Sequence, residues 1–114
     1  MSRDDSAYLL DMLLSARDAL SFTEGMSFDD FVLDRRTQLS VLKSVEIVGE
    51  AAAQVSEDVR RANPDIPWRE IVGMRNRLVH GYFDIDLSLV WDTVRQDIPD
   101  LIARLGPLVP PEDG

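Results

Sequence analysis

Apolar residues recur at spacings of three and four in every long segment of this chain, and stretches that alternate with period two are few and short. That pattern matches the amphipathic helix and leaves little from which to build a sheet. A first helix is expected from about Asp4 to Leu20, with Leu9, Leu13, Ala16 and Leu20 on one stripe and Leu10 and Leu14 widening it. Asp4 and Asp5 suit its positive N-terminal end, and Gly25 should stop the chain from continuing as helix. Ser27, with Asp30 three residues later, has the form of a capping box opening a short helix through Phe28 and Phe31.

A long helix follows from about Asp34 to Ser56, its stripe read as Leu39, Leu42, Val45, Val48, Ala52 and Val55. Ser56 then caps a short amphipathic turn, EDVRRA, which NPDIP ends. Pro67 suits the first position of another helix, because it needs no N–H there. That helix should carry Trp68, Ile71, Val72, Met74, Leu78 and Val79 and stop at Gly81, a left-handed cap. The last helix begins around Asp86 and carries Leu87, Val90, Trp91, Val94, Ile98, Leu101, Ile102 and Leu105, with Pro99 expected to bend it.

Gly49 and Gly73 fall inside expected helices at a cost of about 1 kcal/mol each relative to alanine. Close approach between the two helices that carry them would offset it. The architecture is therefore an all-α, up-and-down bundle of four to five helices in one domain, residues 1–106, with a Pro/Gly-rich tail over 107–114 expected to fray.

Composition narrows the chemistry. The 114 residues contain no cysteine, which excludes thiolate zinc sites, iron–sulfur clusters and cysteine nucleophiles, and one histidine, His80, which excludes a multi-histidine metal site within one chain. No apolar run approaches the roughly 20 residues of a membrane span, and the acidic start MSRDDSAYLL is unlike a basic signal peptide, so a cytoplasmic protein with no membrane partner is expected.

The net charge of −9 argues against a nucleic-acid partner when taken as a sum. Its distribution argues otherwise. From Arg60 to Tyr82, five arginines stand against Asp65 and Glu70, a local +3 that leaves −12 for the rest. Eleven of the twelve basic residues are arginine, the better fork for a phosphate or carboxylate.

The densest set of reactive groups is GMRNRLVHGYF, where Arg75, Asn76, Arg77, His80 and Tyr82 fall within eight positions. On an ideal helix His80 lies about 140° around from Arg75, so the two converge only if the helix loosens at Gly81 or a second copy of the chain supplies one of them. Asn76, four residues before His80, would share its face. An imidazole that moves a proton, an arginine fork that neutralises a phosphate and an amide that orients one of them suffice for attack by an RNA 2′-hydroxyl on its neighbouring phosphate, without metal or cofactor. DNA lacks that hydroxyl. The same residues serve equally as a helix-end histidine and arginines paired to carboxylates such as Glu46 or Glu50. These two acids, four apart beside the apolar stripe, are read as surface charges or as partners that orient the arginines.

The run Arg75, four residues, His80, one residue, Tyr82, with Asn76 after the arginine, resembles the signature of HEPN-domain proteins, specifically the HepT-like toxins paired with MNT-type nucleotidyltransferase antitoxins. The similarity extends to SFDDFVLDRRTQLSVLKSVEIVGEAA, to PWREIVGMRNRLVHGYF and to VWDTVRQDIPDLI. It implies a homodimeric, metal-independent endoribonuclease, the toxin of a type VII toxin–antitoxin system, with two copies of the motif facing each other across a cleft. Carried over by residue, Arg75 and His80 are the catalytic pair, Asn76 supports them, Arg77 contacts RNA, and Tyr82 accepts AMP units from ATP through the antitoxin. The alternative reading is a non-catalytic helical module that dimerises and binds a nucleotidyltransferase or nucleotides.

Overall fold

A computed structural model describes residues 3–81 and 84–110. The periodic segments form helices α1 (Arg3–Phe22), α2 (Phe28–Val32), α3 (Arg35–Gln54), α4 (Glu57–Ala62), α5 (Trp68–Val72), α6 (Met74–Leu78), α7 (Leu87–Asp92) and α8 (Ile98–Leu105), so the fold is all-α as expected. The core forms where α1, α3, α8 and the α5–α6 pair meet, with Leu9, Met12, Val41, Val45, Val48, Leu78, Ile98 and Leu105 almost fully withdrawn from solvent. Each such aliphatic side chain contributes about 1.5–3 kcal/mol by burial.

The helix starts are made by the residues the sequence marks for them. Ser27 Oγ accepts from Asp30 N–H at 3.1 Å while the Asp30 carboxylate accepts from Ser27 N–H at 3.0 Å, a complete capping box. Asp34 caps α3 by accepting from both the N–H and the hydroxyl of Thr37, at 3.0 and 2.8 Å. Those bonds hold its carboxyl below the usual carboxylate range. The cap therefore supports α3 above the unfolded-state pKa and is lost as the pH falls through the lower folded value.

Ser56 caps α4, and both its N–H and its Oγ donate to the Asp5 carboxylate, at 2.7 and 2.8 Å. The start of α1 is thus fastened to the end of α3, which makes these two long helices antiparallel. Gln38, buried, donates to the carbonyls of Phe31 and Val32 and closes the end of α2.

Four expectations need correction. The α3 core stripe runs through Val41, Val45, Val48 and Ala52, whereas Leu42 is only half-buried and Leu39 is 46% exposed. The helix expected from Pro67 to Gly81 is broken. Gly73, with φ −88° and ψ 0°, separates α5 from α6, and Val79 turns extended after Leu78.

Val79–His80 (β1) then pairs antiparallel with Asp84–Ile85 (β2), Val79 opposite Ile85 and His80 opposite Asp84. Gly81, at φ +77°, serves the turn of this ribbon rather than a helix cap. The last rod is also in pieces: a π-helical turn over Thr93–Asp97 joins α7 to α8. A proline ring crowds the carbonyl four residues earlier, here that of Arg95, and a wider turn relieves the clash. Finally, Gly106–Leu108 forms a short 3₁₀ turn, and Leu108 and Val109 pack against the core.

The two glycines have different roles. A Cβ at Gly49 would stand 3.1 Å from the Ile71 carbonyl oxygen and 3.5 Å from that of Val72, so α3 and α5 touch backbone to backbone there. Gly73 makes no such approach, since its nearest neighbour would be Arg69 O at 3.6 Å. Gly49→Ala should therefore force α5 away from α3. Overpacking of about 2 kcal/mol, reduced by about 1 kcal/mol of helix propensity, leaves a net loss of about 1 kcal/mol that lowers Tm by roughly 4–8 °C in thermal unfolding.

Candidate active site

The contact at Gly49 sets α5, and through the Gly73 break α6, against the outer face of α3. Trp68 anchors this segment: its indole N–H donates to Asn63 O at 3.0 Å while the ring is buried. Arg104 on α8 holds the preceding loop through Asp65 at 2.8 Å and reaches Asp100 at 2.9 Å. Met74 and Leu78 then point into the core and leave Arg75, Asn76 and Arg77 exposed on α6.

Arg75 stands between two grooves. One, of about 350 Å³, has Glu46, Gly49 and Glu50 on the α3 side and Val72, Arg75 and Asn76 opposite. The other, of about 390 Å³, continues past Arg75 along α3 and is walled by Arg35, Leu39, Lys43 and Glu46, with Val79 and Ile85 of the ribbon across from them. Among the described residues Arg75 forms no ion pair, although two carboxylates share its first groove. Glu46 is paired with Lys43 instead, loosely, at 3.8 Å. The arginine fork is therefore available to a ligand anion.

Arg77, two positions on, faces elsewhere. It lines a separate groove of about 100 Å³ together with Glu70, Asp97 and Asp100. His80 has left the helix, so its expected shared face with Asn76 does not exist. It is exposed on the ribbon opposite Asp84. Because side chains alternate along a strand, the neighbour of Val79 looks away from the groove that Val79 lines. None of these three grooves is lined by both Arg75 and His80. Tyr82 lies outside the described residues.

Sequence reasoning missed Arg35 and Lys43 as neighbours of this site. Their signal was present, since Arg35, Leu39 and Lys43 are spaced by four, a second stripe beside the core stripe. It was hidden by assigning Leu39 to the core.

The all-α bundle is of the HEPN-like class, with Arg75 and Asn76 exposed at one helix end and His80, the only histidine of the sequence, just beyond on a tight ribbon. Within it, the chain belongs to the HepT-like ribonuclease family, whose model, described as "Ribonuclease HepT-like", matches residues 12–107. A protein of Thermococcus cleftensis named "Probable ribonuclease HepT" is 41% identical over 104 residues, covering 91% of this chain and 94% of its own. A Methanocaldococcus jannaschii protein named as a candidate RNase is 39% identical over 99 residues, 87% of this chain and 91% of its own. No solved structure matches the chain. No described helix is long and apolar enough to cross a membrane.

Proposed function

We propose that the chain is an endoribonuclease that cleaves RNA by internal attack of a 2′-hydroxyl, at a site completed by a second copy of the chain. The observation that carries this reading is the exposed guanidinium of Arg75, which stands between two grooves and forms no ion pair among the described residues although Glu46 and Glu50 share one of them. A guanidinium so placed can take a phosphate. His80 supplies the complementary chemistry from an exposed ribbon. In this reading Arg75 of one protomer and His80 of its partner form the working pair, which accords with His80 standing on the ribbon and lining neither of the two grooves beside Arg75.

Exposed Val72, beside Arg75 in the first groove, provides apolar surface for that association. Arg75 binds the non-bridging phosphate oxygens, and Asn76, beside it on α6, orients them. The His80 imidazole takes the proton of the 2′-hydroxyl as its oxygen bonds to phosphorus. The bond to the 5′ oxygen breaks, that oxygen takes a proton from solvent, and a 2′,3′-cyclic phosphate remains. Arg77, across α6 among three carboxylates, contributes only long-range charge to RNA binding.

The regulatory half of the reading is that the protein is the toxin of a cytoplasmic type VII toxin–antitoxin system. An MNT-type nucleotidyltransferase antitoxin transfers AMP from ATP to Tyr82, releasing pyrophosphate. Two residues from His80 in the chain, each added phosphate and nucleoside opposes RNA by charge and by volume.

Purified protein should cleave RNA in the presence of EDTA and leave cyclic phosphate ends. Co-incubation with the partner and ATP should raise its intact mass in steps of one AMP and abolish cleavage, and Tyr82→Phe should prevent both effects. Cleavage that depends on added divalent metal would overturn the chemistry. Binding of the partner by a dimer that cleaves nothing would replace it with the non-catalytic module.

A further inference from the structure

We infer that Arg35 and Lys43 form a backbone-phosphate subsite for the RNA strand flanking the scissile phosphate, leading it along α3 to Arg75. This rests on the ribonuclease reading above and adds a path for the substrate. Three cations wall one continuous groove in a protein of net charge −9, with Glu46 as the acid among them.

Arg35 and Lys43, like Arg75, are available to a ligand. Arg35 has no ion pair among the described residues, and the acid preceding it, Asp34, is turned to the N-terminus of α3 by its two bonds from Thr37. Lys43 has only the 3.8 Å pair with Glu46, in which its own side chain stays 65% exposed, a contact of little energetic value that a phosphate can displace. Arg35 and Lys43 are eight residues apart, so they are spread over about 12 Å of helix, enough to meet more than one backbone phosphate.

What else lines the groove sets the kind of recognition. Among the described residues that line it, Leu39, Leu42, Val79 and Ile85 are aliphatic and none is aromatic. The polar groups are the three cations and Glu46, and cations bound to backbone phosphates position a strand without specifying its sequence. The subsite should hold single-stranded DNA as well as RNA, although only RNA can be cleaved.

The test is the double variant Arg35→Ala/Lys43→Ala in the full-length protein. Both residues are exposed, and a control, Arg17→Ala/Arg61→Ala, removes the same charge from outside the groove. The variant should bind an uncleavable DNA oligonucleotide about 10-fold more weakly. The slope of log K against log salt should be shallower by about 1.4, at about 0.7 per lost single-strand phosphate contact. With RNA, KM should rise by a similar factor while kcat holds, and the control should resemble wild type in both respects. Wild-type cleavage with unchanged affinity, slope and KM in the variant overturns the subsite and leaves the ribonuclease reading intact. A wild-type protein that neither binds nor cleaves RNA overturns both.

Discussion

His80→Ala should reduce RNA cleavage by about 10²–10⁴-fold, the range that loss of a positioned proton-transfer group produces. The loss should fall on kcat, because the imidazole acts on the 2′-hydroxyl proton as the new bond forms and adds little to binding the ground state. Stability should not change measurably. His80 is exposed, on a two-residue ribbon whose backbone pairing with Asp84 does not depend on its side chain, so the change in unfolding free energy should stay within about 0.5 kcal/mol. Full activity in this variant would remove His80 from the mechanism. The chain has no second histidine to take its place.

Arg75→Ala should cost about 10²–10³-fold in kcat, the effect of deleting a donor aimed at charge that develops on the reacting oxygens. Arg75→Lys should recover only part of this, since an ammonium keeps the charge but cannot present the planar fork to two phosphate oxygens. The contrast with Arg35→Ala/Lys43→Ala is diagnostic: there the loss belongs in KM and in the salt dependence. Arg75 is exposed and makes no ion pair among the described residues, so a drop in activity with unchanged Tm is the expected outcome.

Most of the frame that places these residues was legible in the sequence, because it depends on local rules. Ser27 and Ser56 announce helix starts through side-chain oxygens that accept from backbone N–H groups a few residues on, and both do so. Gly49 announced a close backbone approach and makes one. What the sequence concealed depends on competition between distant groups. The run Leu78–Val79–His80 reads as helix by spacing. The Asp86 N–H reaching back to Leu78 O at 2.8 Å, together with a turn at Gly81, instead favours a ribbon too short to display an alternating pattern.

The same reasoning explains the site. Spacing on an ideal helix sets His80 about 140° from Arg75 and on the face of Asn76. Two residues of helix carry Arg77 to another groove, and the ribbon turns His80 outward. Leu39 was misread because a leucine at helical spacing is normally core. On α3 it is part of the wall that leads to Arg75.

The claim that one protomer supplies Arg75 and its partner His80 has a direct test in subunit mixing. Arg75→Ala and His80→Ala proteins, each nearly inactive alone, are unfolded together, refolded and assayed for RNA cleavage, with the mixed dimer isolated by two different affinity tags. In a mixed dimer one cleft has both groups intact and the other has neither, so the isolated species should regain about half of wild-type activity and the random mixture about a quarter. If the mixed dimer forms and cleaves no better than either parent, Arg75 and His80 act within one chain, and the shared site is wrong.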